Sequence, residues 1–128
     1  MNQPSHRDRL WAVRGAVQAA RNDEQSILDC TEELMRELLG RNSVDADHIV
    51  SVIFTCTDDL DAEFPAVAAR RLGLNSVPLL CAREMHVPDA LPRVIRLLLH
   101  CYGDPDTPTR HVYLRDAVSL RRDLEHAQ

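Results

Sequence analysis

Lysine is absent from this 128-residue chain, and all 15 of its basic side chains are arginine. A GC-rich coding sequence accounts for such a bias, but the consequence is physical. Arginine offers a planar fork that matches a carboxylate at two points, where lysine offers a compact point charge. Cysteines are few and scattered (Cys30, Cys56, Cys81 and Cys101), with no CxxC pair. Each sits among apolar neighbours, so buried, reduced thiols are expected rather than a disulfide framework or a metal cluster. The six histidines include no HxxxH or HExxH spacing, which removes the usual reason to place a metal. No apolar run approaches the ~18 residues that a membrane span requires. The polar N-terminus lacks the apolar stretch of a secretory signal, so a cytoplasmic protein is expected. The net charge of −5 excludes a generic nucleic-acid surface.

What remains is ordinary for a folded domain: 45% hydrophobic and 27% charged residues, enough for one core without staples. Residues 1–9 read as a flexible tail and residues 10–128 as a single domain. Residues 10–19 (LWAVRGAVQA) suit a strand, with Trp11, Val13 and Gly15 on one face and Ala12, Arg14 and Ala16 on the other. Asn22 or Asp23 can cap a helix to about residue 39. Its apolar stripe is Ile27, Thr31, Leu34 and Leu38, widened by Leu28, Met35 and Leu39, and Gly40 is expected to stop it. The β-branched run at residues 48–57 predicts a strand.

Residues 58–63 form an acidic loop, and Pro65 can open a short helix ending at Gly73. A strand is expected over 77–82. Residues 89–100 fit a third helix, with Asp89 as cap, Pro92 in the first turn, and Leu91, Val94, Ile95, Leu98 and Leu99 as its apolar side. Residues 110–117 alternate like a half-buried strand, and the tail from Val118 suits a further short one. Strands and helices thus alternate without an internal repeat. The fold class is α/β (α+β), a mixed β-sheet with helices on one face. The uncovered face must be buried somewhere, and in so short a chain sister subunits are the natural cover.

Five blocks carry a resemblance: VRGA from Val13, TDDLDAEFPAVAAR from Thr57, VPLLCAREM from Val77, RVIRLLL from Arg93, and RHVYLRDAV from Arg110. In this order, over nearly the whole chain, they resemble the chorismate mutases of the AroH class. The resemblance implies a homotrimer whose sheets form a pseudo-α/β-barrel, with active sites between adjacent subunits and chorismate as substrate. It implies no cofactor, no metal and no nucleic-acid or membrane partner. Carried over motif by motif, Arg14 would contact a substrate carboxylate with the help of the Tyr113 hydroxyl. Arg96 would donate to the ether oxygen, and Glu84 would accept from the ring hydroxyl. The backbone of Leu80, Cys81, Ala82 and Arg83 would line the pocket. Phe64, Ala66 and Arg70 would come from the neighbouring subunit, and Arg121 from the tail. The pattern departs at Val67, where the family often has a basic residue, so attraction of a dianion would rest on Arg70 or Arg121.

The implied reaction explains the missing catalytic motifs. An intramolecular [3,3] rearrangement breaks one C–O bond as it forms one C–C bond, and needs neither a nucleophile nor a moving proton. The protein must hold the reacting ends together and stabilise charge growing on the ether oxygen. Taken singly the residues say less. Arg14 could sit at a sheet edge, Arg96 on a solvated helix, Glu84 in an ordinary loop, and Tyr113 half-buried with its hydroxyl in water; Cys81 suits packing. The alternative from another class is a trimeric binding or imine-processing protein of YjgF-like fold, which would share the shape and a carboxylate-binding arginine.

Overall fold

The computed structural model describes residues 7–120. Most of the expected tail, and Arg121 with the rest of the C-terminus, lie outside them. Arg9 already opens the first strand, β1 (Arg9–Gln18). It is followed by α1 (Glu24–Arg41), β2 (Ile49–Cys56), α2 (Ala66–Arg71), β3 (Leu79–Arg83), β4 (Val94–Gly103) and β5 (Val112–Leu114). Short 3₁₀ turns precede β2 and follow β5.

The long helix forms for the reasons visible in its sequence. Asp23 is the cap: its Oδ1 accepts the Ser26 N–H at 2.7 Å, satisfying one of the donors that a helix start leaves open. Ile27, Leu28, Leu34, Met35 and Leu38 are all fully buried, and the buried Thr31 hydroxyl donates to the Ile27 carbonyl. Gly40 does not end the helix, which runs on to Arg41. The Glu37–Arg41 pair supports the last turn, and Asn42 closes it with both its N–H and its side-chain amide on the Leu38 carbonyl.

The five strands form one mixed sheet in the order β3-β2-β4-β1-β5. β4 runs antiparallel to both β1 and β2, while β3 lies parallel to β2 and β5 parallel to β1. The expected third helix over 89–100 is not formed; most of it is β4, the central strand. A run as apolar as VIRLLL satisfies either period, so tertiary context decides. Pairing on both edges and burial of Ile95, Leu97, Leu99 and Cys101 under the helices select the strand. Asp89 (φ 66°) and Arg93 (φ 53°) occupy the left-handed region, which a right-handed helix cannot contain. At the C-terminal side, residues 118–120 turn helically, and the rest of the tail expected to add a strand lies outside the described residues.

Both helices pack on one face of the sheet, the face of Val13, Val17, Val52, Phe54, Leu97 and Leu99. At Gly15 the approach is closest: an added Cβ would stand 3.1 Å from Leu38 Cδ1 and 3.2 Å from Leu34 Cδ1. Glycine here lets α1 settle onto the strand. Among the described residues nothing covers the opposite face, and Leu10, Leu80 and Tyr102 are exposed on it.

Candidate active site

Register, rather than sequence proximity, assembles the site. Across the sheet one row of paired residues reads Ala82, Thr55, Arg96, Ala16 and Tyr113, and the next reads Leu80, Ile53, Leu98 and Arg14. Paired residues share a face, and this is the uncovered one. Glu84 extends the alternation of Leu80 and Ala82 just beyond β3, where its N–H donates to the Cys56 carbonyl at 3.0 Å. Its Oε1 lies 2.6 Å from Arg96 Nε and accepts a hydrogen bond from the Thr55 hydroxyl at 3.2 Å. The Nε–H of Arg96 does not point along the short contact, so it is a contact of charges rather than an aligned hydrogen bond. Arg96 Nε is itself buried, whereas the side chain as a whole is 43% exposed.

On the other flank, the Tyr113 hydroxyl is buried with no hydrogen-bond partner among the described residues, a state that costs ~1–3 kcal/mol until an acceptor arrives. Behind Arg14, its backbone N–H donates to His111 Nδ1 at 2.9 Å. Burial, and secondarily the charge of Arg14, hold His111 below the ordinary histidine pKa. Asn42 clamps the neighbouring Arg110 at both its N–H and its carbonyl, which fixes where the three-residue β5 begins. The 57–60 loop ties together the ends of β2, β3 and β4. Asp59 accepts from the Arg93 N–H, Thr57 Oγ1 from the Val94 N–H, and the Thr57 and Leu60 carbonyls from Arg83.

Comparison with known proteins decides what this arrangement belongs to. The family model for chorismate mutase type I matches residues 10–124. The chain is 48% identical over 120 residues to chorismate mutase AroH of Thermus thermophilus, covering 91% of this chain and 97% of that one. It is 38% identical over 117 residues to chorismate mutase AroH of Bacillus subtilis, covering 90% and 92%. Among solved structures, a chorismate mutase from Clostridium thermocellum superposes with a TM-score of 0.81 at 40% identity, over 85% of this chain and 98% of the other.

The chain belongs to the type I chorismate mutase family. Its activity is an isomerisation, chorismate to prephenate, and this settles the choice between mutase and imine-processing protein. The face just described carries two arginines, a carboxylate and a hydroxyl without a partner among the described residues. Arg14, Glu84, Arg96 and Tyr113 share that face with Leu80 and Ala82, although Arg96 is on a strand and not on the helix expected for it. Cys81 alternates to the covered face and packs against the core. The Arg83 side chain is likewise turned away, donating to the 57–60 loop and lying 3.7 Å from Asp58; only their backbone is left to line a pocket.

Phe64, Ala66 and Arg70 ride on or beside α2, in the helix layer, on the opposite side of the sheet from Arg14 and Arg96. Phe64 is 66% exposed there, while Ala66 is buried in the core. A shallow hollow along the outer side of α1, lined by Asp29, Glu32, Glu33, Arg36 and Glu37, contains none of these residues. Sequence reading missed Thr55, Asn42 and the Thr57–Asp59 pair. For Thr55 a signal existed: it follows Ile53 at a spacing of two, on the strand face that Phe54 does not occupy.

No helix among the described residues is long and apolar enough to cross a membrane.

Proposed function

We propose that chorismate binds against the uncovered face of the sheet, in a cleft completed by a neighbouring subunit of a cytoplasmic homotrimer. Four groups of suitable chemistry, from four segments of the chain, lie on a face that the described residues leave bare, and this observation carries the reading. Arg14 and the Tyr113 hydroxyl grip one substrate carboxylate, which gives the orphaned phenol its acceptor. Arg96 aims donors at the ether oxygen and at a carboxylate, and Glu84 accepts from the ring hydroxyl. The backbone from Leu80 to Arg83 lines the floor. Phe64, Ala66 and Arg70 close the cleft from the second subunit, which their position in the helix layer favours, and Arg121 contributes a further cation toward the substrate.

Rate acceleration then has two sources. Holding the enolpyruvyl arm over the ring removes orientational freedom before the reaction. Charge developing on the ether oxygen meets a guanidinium already in place, and such a preorganised donor is worth ~2.7–4 kcal/mol. Since the bond changes are internal to the substrate, no group on the protein need accept a proton or form a covalent bond.

Sedimentation together with subunit mixing tests this. The protein is expected to sediment as three chains. Chains carrying Arg96→Ala and chains carrying Arg70→Ala, each poorly active alone, should regain activity when co-assembled, because some interfaces then pair an intact face with an intact helix layer. A fully active monomer, or mixed assemblies no better than their parents, would refute the shared site.

A further inference from the structure

We infer that Thr55 is a positioning residue for the rearrangement, holding one oxygen of Glu84 so that the other is presented to the substrate's ring hydroxyl; the inference rests on the role proposed above for Glu84. Both contacts that anchor the carboxylate fall on the same atom. Oε1 accepts from the Thr55 hydroxyl at 3.2 Å and meets Arg96 Nε at 2.6 Å. No hydrogen bond from the described residues reaches Oε2, although the Glu84 side chain retains only 15% of its exposure.

A half-buried carboxylate with one oxygen tied and the other open can rotate little, so its open oxygen is aimed before substrate arrives. Arg96 alone does not do this, because its contact with Oε1 lacks hydrogen-bond alignment. Thr55 supplies the fixed point. It is β-branched and rigid at χ1, and it sits in a strand paired on both sides, opposite Ala82 of β3 and Arg96 of β4. Its hydroxyl therefore stands midway between the two strands that carry the carboxylate and the guanidinium. The backbone reinforces the placement, since the Cys56 carbonyl, next in the chain, receives the Glu84 N–H.

The hydroxyl has a second effect on the Arg96–Glu84 contact. By taking up part of the charge on Oε1, it weakens the hold of the carboxylate on Arg96 and leaves the guanidinium more available to the substrate. Loss of the hydroxyl should therefore act on turnover as well as on binding.

The test is a double-mutant cycle with rescue. Thr55→Val keeps the branched shape and the strand preference but removes the donor, and Thr55→Ser restores it. Thr55→Val is expected to lower kcat/KM about 10-fold, the effect of one hydrogen bond to a charged group, with its unfolding midpoint close to the parent. Thr55→Ser should return activity to within about 3-fold of the parent. In a Glu84→Gln background, itself strongly impaired, Thr55→Val should cost little more, because the group it positions is altered already. If Glu84→Gln is impaired but Thr55→Val is not, or if Thr55→Val costs as much in the Glu84→Gln background as in the parent, Thr55 does not act through Glu84 and the inference fails. If Glu84→Gln is fully active, the role of Glu84 is wrong, and the inference falls with it for that separate reason.

Discussion

Arg96 on β4 and Glu84 beyond the end of β3 touch at 2.6 Å across the whole width of β2. With the arginine side chain 43% and the glutamate side chain 15% exposed, this pair is partly desolvated, and the cost of removing its charges from water offsets much of their attraction. Its value is geometric. It holds a guanidinium at the centre of the bare sheet face, one strand from Ala16 and two from Tyr113.

Removing that guanidinium should thus separate chemistry from stability. Arg96→Ala is expected to depress kcat by ~10²–10³-fold, the usual loss for a preorganised donor, while the thermal midpoint moves little. Arg14→Ala should damage KM at least as much as kcat, because the carboxylate it grips is present in the ground state too. Arg96→Lys keeps the charge without the fork, so it should recover only part of the rate. Steady-state kinetics on variants of unchanged oligomeric state decide the matter. A well-folded Arg96→Ala with parental kcat and a raised KM would make Arg96 a binding residue only.

Gly15 is the point where α1 rests on the sheet. An alanine there places a methyl 3.1–3.2 Å from Leu38 and Leu34, both fully buried with little room to give. Overpacking costs ~1–3 kcal/mol, more than the ~0.4–1 kcal/mol that Gly→Ala gains by restricting the unfolded chain. Gly15→Ala should therefore be less stable by about 1 kcal/mol in urea titration. Adding Leu38→Ala should cost less than the two single changes predict. A Gly15→Ala variant as stable as the parent would show that the helix shifts freely.

His111 makes the stability depend on pH in a predictable direction. Its Nδ1 accepts the Arg14 N–H, and burial with the nearby Arg14 charge lowers its pKa in the folded state. Above the unfolded histidine value of about 6.5 both states are neutral, and the stabilising contribution is fully present. As pH falls through the depressed folded value, the unfolded chain has already taken up the proton and the contribution is lost. Because the residue is exposed on one side, the effect should be small. His111→Asn keeps an acceptor and does not titrate. Its urea midpoint should fall less steeply than the parent's between about pH 7 and pH 5. Parallel profiles would mean that His111 binds protons equally in both states.

Local pattern alone determined much of this protein. The stripe from Ile27 to Leu38 and the Asp23 cap specify α1, because a helix buries one side at a period of 3.6 and exposes its first N–H groups to a carboxylate. Alternation specifies β1, including which face carries Arg14 and which carries Gly15. The blocks around Arg14, Glu84, Arg96 and Tyr113 were legible as a family resemblance, and the family is the one the comparisons show.

Tertiary structure alone decided β4. Leu91, Val94, Ile95, Leu98 and Leu99 fit a helical stripe, although Arg96, His100 and Tyr102 already alternated as a strand's outer face would. The central slot between β1 and β2 settled the matter, since backbone groups there find ladder partners on both sides. The Glu84–Arg96 contact and the place of Thr55 between them were equally illegible. They depend on the register of three strands distant in sequence, and register is fixed only when one face of the sheet is buried beneath α1 and α2.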